Sequence, residues 1–329
     1  MKQPTGIPSS TRERIDLLPR ASGKDFAEIF GYAPDDTSTP ARRQWKSQEC
    51  PFVGNTCIKR INLPGSGWVV SGACSVANKV RSGGTEEVII CLQRLYDNGY
   101  ESLQACARDA VEGTPPIFLA DEFSRLKVAG ELPEDYIVLL GKNSGGEITL
   151  RNTAAQLSID WVMAHVNSGT LDLVVPCEVQ SIDTTGSYRE TWQAYSKEQP
   201  LIPNSGHGMN WANVWKRLIP QLMLKGAVAS TSSLCKQGLY FVLPDRVYVQ
   251  FEKLVGRVPQ VGGPGPGVLT VMTYALGPEV SAGNIRSLVR RRVMRVSIPD
   301  FAEAFASGRE LLPLGLELDR KVDSTLARL

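Results

Sequence analysis

The stretch LDLVVPCEVQSI, residues 171–182, decides the fold. Its aliphatic and β-branched residues read as a strand. Alternate side chains of a strand share a face, so Glu178 and Gln180 point one way while Cys177 and Val179 point into the packed layer. A carboxylate in the middle of such a run has no packing role. Working outward, YIVLLGK (136–142), EITLRN (147–152), GLYFVLP (238–244), VLTVMTYAL (268–276) and RRVMRVSI (291–298) read as further strands. SIDWVMAHV (158–166), which carries Asp160, reads as a short strand or a helical turn. A helix is expected over 210–229, with Trp211, Val214, Trp215 and Leu218 at helical spacing and Pro220 bending it, and a proline-led helix over 299–306. Strands interleaved with helices imply an α/β fold with a mixed sheet covered on both faces.

Upstream the pattern changes. Residues 1–45 read as an irregular arm with one short helical candidate, Lys24 to Phe30, before the turn-rich GYAPDDTSTP. Residues 46–104 hold Cys50, Cys57, Cys74 and Cys91, with hairpin-like pieces around 67–70 and 87–90, and suggest a small metal-organised unit ahead of an α/β domain over 105–329. The four cysteines are separated by six, sixteen and sixteen residues, looser than zinc knuckles. Spacing alone leaves open a metal site and four buried thiols behaving as small apolar residues. Cys106, Cys177 and Cys235 are assigned to the core.

Composition removes many functions. The 329 residues carry 36 Lys plus Arg against 34 Asp plus Glu, so any nucleic-acid footprint must come from local clustering. With two histidines, His165 and His207, neither near a nucleophile elbow, histidine-rich zinc sites are excluded and a Ser-His-Asp triad has no support. No phosphate-cradling glycine motif occurs, and GGPGPG (262–267) reads as a loop. The N-terminus has no signal-peptide pattern, no apolar run is long enough to span a membrane, and the odd cysteine count favours a reducing compartment, so a cytoplasmic protein is expected.

If Asp160 ends an element beside the 171–182 strand, its carboxylate meets Glu178 in an all-oxygen site suited to Mg²⁺. The competing reading has Glu178 and Gln180 on a solvated sheet face and Asp160 capping a helix. The series GGEITL, SIDW, CEVQSIDTTGSY and NWANVWKR, with ECPF, NTCIK, GAC and IIC upstream, resembles the NotI restriction endonuclease family in the same order from about residue 49 to 315. The resemblance implies a PD-(D/E)xK nuclease core with a four-cysteine iron unit before it. Asp160 and Glu178 match the family's metal-binding carboxylates, Gln180 its glutamine in place of the usual lysine, and Glu147 a further acidic residue near that site. Cys50, Cys57, Cys74 and Cys91 fall at its iron ligands, although four thiolates suit zinc as well.

The resemblance further implies a prokaryotic type II enzyme. It would cut a GC-rich palindrome in double-stranded DNA to leave 5′ overhangs, act as a homodimer, and share a system with a DNA methyltransferase. Candidate DNA contacts are Arg189, Lys216, Arg217, Arg290 and Arg292, the last two within the run Arg286, Arg290, Arg291, Arg292, Arg295, which reads equally as a charged strand edge. Two other functions compete. One is a metal-cluster DNA-binding regulator with an inert nuclease sheet, which the glutamine favours, and the other is a repair or homing nuclease.

Overall fold

In a computed structural model, residues 25–79, 84–151, 153, 156–307 and 312–328 are described. They form a mixed α/β protein built on a large mixed sheet flanked by helices. The N-terminal part comprises β1 (Glu28–Ile29), α1 (Thr39–Ser47), β2 (Arg60–Leu63), β3 (Gly67–Val70), β4 (Ala73–Lys79) and β5 (Thr85–Ile89). A 3₁₀ turn (Leu92–Tyr96) leads into α2 (Asp97–Ala110), β6 (Ile117–Leu119), α3 (Ala120–Ala129) and β7 (Asp135–Gly141). Next come β8 (Ile148–Arg151), β9 (Gln156–Ile159), β10 (Trp161–Asn167), β11 (Thr170–Val179), β12 (Thr184–Thr185), α4 (Arg189–Ser196) and β13 (Gly208–Met209). A π-helical turn (Val214–Leu218) then runs into α5 (Ile219–Ser230), followed by β14 (Leu239–Pro244), α6 (Asp245–Val255), β15 (Val268–Leu276), β16 (Leu288–Ser297), α7 (Ile298–Ala306) and α8 (Leu312–Leu326).

The main sheet has the order β16-β15-β14-β11-β10-β7-β6. β14 lies between parallel neighbours and is buried at every position, which explains its unbroken apolar sequence. β10 and β11 are an antiparallel hairpin pair with Trp161 opposite Cys177, so SIDWVMAHV resolves as strand on either side of Asp160. One face carries α2, whose Leu103, Cys106 and Ala107 pack with Leu139, Trp161, Val175 and Val179. The other face buries Leu239, Phe241 and Val271 against Leu222 of α5, Phe251 of α6 and Phe301 of α7. Cys106, Cys177 and Cys235 are buried, as expected. Among the described residues no helix is long and apolar enough to cross a membrane.

One expectation needs correction. Residues 25–30 are not helical: Asp25 and Phe30 adopt positive φ, and Glu28 and Ile29 pair with β4. The apolar spacing of Phe26, Ile29 and Phe30 imitates a helix, but tertiary pairing and their complete burial prevail. Lys24 and the rest of 1–24 lie outside the described residues. Within the segment 25–45, β1 joins β4 and β5 in one sheet and Phe26 shares a core with Trp192 and Phe241. Residue 104 lies within α2, which packs on one face of the main sheet, while Cys50, Cys57 and Cys74 belong to the core cluster on the other face. The expected helix over 210–229 is present: helical backbone runs through 212–230, and the turn directly before Pro220, Val214–Leu218, is π-helical.

Candidate active site

Asp160 is the residue before β10, one register step beyond the Trp161–Cys177 pair, and so stands across from Glu178. Trp161 anchors this corner. Its indole is buried against Tyr96 and Tyr100 and donates from Nε1 to the Tyr96 hydroxyl at 3.0 Å. The ring fits because β7 offers a glycine opposite it: a Cβ on Gly141 would lie 2.5 Å from Trp161 Cε3.

Backbone amides lock the two carboxylates in place. Val179 N–H donates to Asp160 Oδ2 (3.1 Å), and Asp160 N–H donates to Glu178 Oε1 (3.3 Å). Glu178 is 2% exposed on a strand between apolar neighbours, whereas Asp160 is half-buried. Burial first, and then the charge of Asp160, push the Glu178 carboxyl up to about 8 against the opposing pull of Lys225.

Gln180 continues the strand direction through its N–H, which donates to Val242 O at 3.0 Å, and it shares the Glu178 face. It opens on a pocket of about 240 Å³ lined also by Asp183, Asn213, Arg217 and Gln221. Glu147 precedes β8, and because Ile148 pairs with Ile159 it falls across from Asp160 by register. Its side chain is exposed. Positions 147, 160 and 178 thus form a row.

Lys225 on α5 is the residue that sequence reasoning missed. It is 7% exposed, and its Nζ lies 2.5 Å from Glu178 Oε2. Its signal was a lysine on the apolar stripe of the helix, beside Ile219, Leu222, Gly226 and Ala229. Gly226 lets α5 approach α7, since a Cβ there would meet Ile298 Cδ1 at 2.5 Å.

The other candidates divide. Lys216 and Arg217 are exposed, and Arg217 alone of the DNA candidates lines the pocket beside Gln180. Arg189 is half-buried at the start of α4 with Nε enclosed and without a hydrogen-bond partner. β16 is one edge strand of the main sheet, and three arginines in it or just before it are ion-paired within the chain: Arg286 with Glu87 (2.7 Å), Arg292 with Asp245 (2.9 Å) and Arg295 with Asp109 (2.6 Å). Arg290 and Arg291 are exposed. The histidines make their contacts elsewhere, His165 with Asp135 and His207 with Ser205.

All four candidate metal cysteines are buried free thiols. The Cys50 loop closes through Cys50 N–H to Asn55 O, and Cys91 N–H donates to Cys74 O, which sets the last two cysteines side by side. The nearby main-chain amides of Phe52 and Val53 favour the Cys50 thiolate, those of Lys59 and Gly72 the Cys57 thiolate, and that of Gln93 the Cys91 thiolate. Such donors stabilise thiolates. Burial nevertheless pushes the thiols up, that of Cys91 to about 12, and the cysteines raise one another. Among the described residues no group of three or more His, Cys, Asp or Glu side chains is arranged to hold a metal ion.

No protein-family model matches the chain, and no curated protein matches it in sequence.

Proposed function

We propose that the chain is a Mg²⁺-dependent, site-specific deoxyribonuclease of the type II restriction kind, with a nuclease core of the PD-(D/E)xK class. The observation that carries this reading is the pairing of Asp160 with Glu178 across β10 and β11, with Gln180 on the same face at the mouth of a polar pocket. An oxygen-only donor set suits Mg²⁺, and the charge crowding at Glu178 is what a divalent cation would relieve. When bound, Mg²⁺ supplies Lewis acidity toward water and phosphate oxygen. Asp160 and Glu178 would hold it. The Gln180 amide accepts from and donates to the attacking water, aligning it with phosphorus. Arg217, at the pocket, binds a backbone phosphate.

The four cysteines would hold iron, or zinc, in a structural role, which the nearby main-chain amides that favour their thiolates support. Iron, a GC-rich palindrome and 5′ overhangs rest on the resemblance to the NotI family. A palindrome calls for a two-fold dimer with one site per strand. The test is to incubate purified protein with unmethylated, sequence-diverse DNA and Mg²⁺, sequence the fragment ends, and run Asp160→Ala beside it. Discrete ends sharing one palindrome, absent with the variant, are expected. DNA that is bound but uncut across divalent metals overturns the nuclease and leaves a DNA-binding regulator.

A further inference from the structure

We propose that Lys225, reaching the site from α5, is a catalytic residue that supplies the positive charge that Gln180 does not. This rests on the nuclease reading above. Lys225 is the one lysine in the buried set of the described residues, on a helix face otherwise given to apolar packing. Withdrawing an ammonium from water is unfavourable unless it is paired, and its partner here is a candidate metal ligand, Glu178. A purely structural lysine could be served by any carboxylate. This one is brought 2.5 Å from the carboxylate that also faces Asp160, on the strand that presents Gln180.

An ammonium has three donors, and Glu178 takes one. No other hydrogen bond of Lys225 occurs among the described residues, and we assign its remaining donors to the scissile phosphate and the attacking water. Arg217, Gln221 and Lys225 follow at four-residue intervals on one helical stripe, and the first two line the pocket beside Gln180. The stripe therefore runs from that pocket to the paired carboxylates, a track for consecutive phosphates. In the hydrolysis, the water oxygen bonds to phosphorus as the phosphorus–ester oxygen bond breaks. One water proton leaves to solvent and the departing oxygen takes one up. Lys225 keeps its protons throughout and acts by charge and hydrogen bonding on the phosphorane oxygens.

The test compares wild type, Lys225→Met, Lys225→Arg and the double variant Lys225→Met/Gln180→Lys. Lys225→Met should lower kcat by about 10²-fold or more with little change in KM, the loss typical of one transition-state donor. Lys225→Arg should recover part of it, and Gln180→Lys in the Met background should restore activity at least tenfold, as no structural role of Lys225 would allow. Independently of cleavage, Mn²⁺ titrated alone should bind Lys225→Met more tightly, by about 1 to 3 log units, because a neighbouring like charge is gone. A wild type that cuts while Lys225→Met cuts within threefold of it, or a double variant that is not rescued, or Mn²⁺ affinity that is unchanged, overturns the assignment and leaves the nuclease standing. A wild type that never cuts overturns the nuclease itself. Should Lys225→Met fail to fold, Lys225→Gln carries the same comparisons.

Discussion

Arg94 closes on Glu28, sixty-six positions away, with both side chains fully buried: Nε lies 2.9 Å from Oε2 and Nη2 3.0 Å from Oε1. The guanidinium also donates to the Arg286 carbonyl at 2.5 Å, pairs with Asp97 at 3.0 Å and stacks 4.7 Å over Phe52. It therefore ties β1, the Cys50 loop and the chain entering β16. Removing one partner strands a buried charge. Arg94→Met should cost about 3–5 kcal/mol of unfolding free energy in a urea titration, and Glu28→Leu with Arg94→Met should recover most of that loss. A single replacement costing under about 1 kcal/mol, the range of exposed pairs, would contradict the pair's role.

Trp161 should be intolerant of any side chain at position 141. The added Cβ in Gly141→Ala would lie 2.6 Å from Trp161 Cδ2 and 2.9 Å from the Asp160 carbonyl, so the indole must shift and carry Asp160 with it. Overpacking of this kind costs about 1–3 kcal/mol. The variant should lose DNA cleavage by more than its loss of stability explains, at temperatures where it remains folded. Full cleavage by a folded Gly141→Ala protein would show that Trp161 does not set the position of Asp160.

The strands of the main sheet were legible because burial on both faces demands unbroken aliphatic runs, and Glu178 because it interrupts one of them. The pairing of Asp160 with Glu178 was legible as a possibility, since it needs only that two consecutive strands form a hairpin. Lys225 was not, for its contact spans forty-seven residues and depends on how far α5 can settle, which Gly226 and Ile298 decide. The helical reading of 24–30 failed for the same reason. Phe26, Ile29 and Phe30 follow a helix period, yet what they satisfy is a core assembled from Gly72, Trp192 and β4. In the basic run, sequence could not tell a charged edge from a phosphate cradle, because the acids that pair with Arg292 and Arg295 come from α6 and α2.

Acid should loosen the N-terminal segment. Burial of Asp25 favours its neutral form, but hydrogen bonds with His207, Thr191 and Ser205 outweigh this and hold the carboxyl below its ordinary 3.8. A folded-state value below the unfolded one adds stability that is fully present above the unfolded value. It fades as pH falls below about 4 toward the folded value. Asp25→Asn should therefore be less stable than wild type at pH 6, with the gap narrowing from pH 4 downward. A gap that stays constant with pH would rule out this linkage.

Metal analysis after exhaustive dialysis should find about one iron or zinc per chain, as four thiolates would hold one ion. Cys74→Ser and Cys91→Ser should each lose it and melt at lower temperature, whereas Cys177→Ser, buried on the main sheet, should keep it. Treatment with a strong chelator should lower the wild-type melting temperature to that of the cysteine variants. Wild type that is folded and metal-free as isolated, and takes up neither ion, would reduce the quartet to apolar packing.

The paired carboxylates should give opposite responses in stability and activity. Asp160→Asn keeps an acceptor for the Val179 amide while removing the charge that raises Glu178. Without a divalent ion the variant should be more stable than wild type by about 1 kcal/mol, one pKa unit of relieved repulsion being worth about 1.4. It should also cut DNA at least about 10³-fold more slowly, since a ligand of the proposed catalytic ion is gone. Added Mg²⁺ should raise the melting temperature of wild type and leave that of the variant unchanged, because the ion stabilises only the protein that binds it. This crossing separates a functional site from a structural one. A residue kept for the fold should weaken the protein when replaced, whereas Asp160 should weaken only the chemistry.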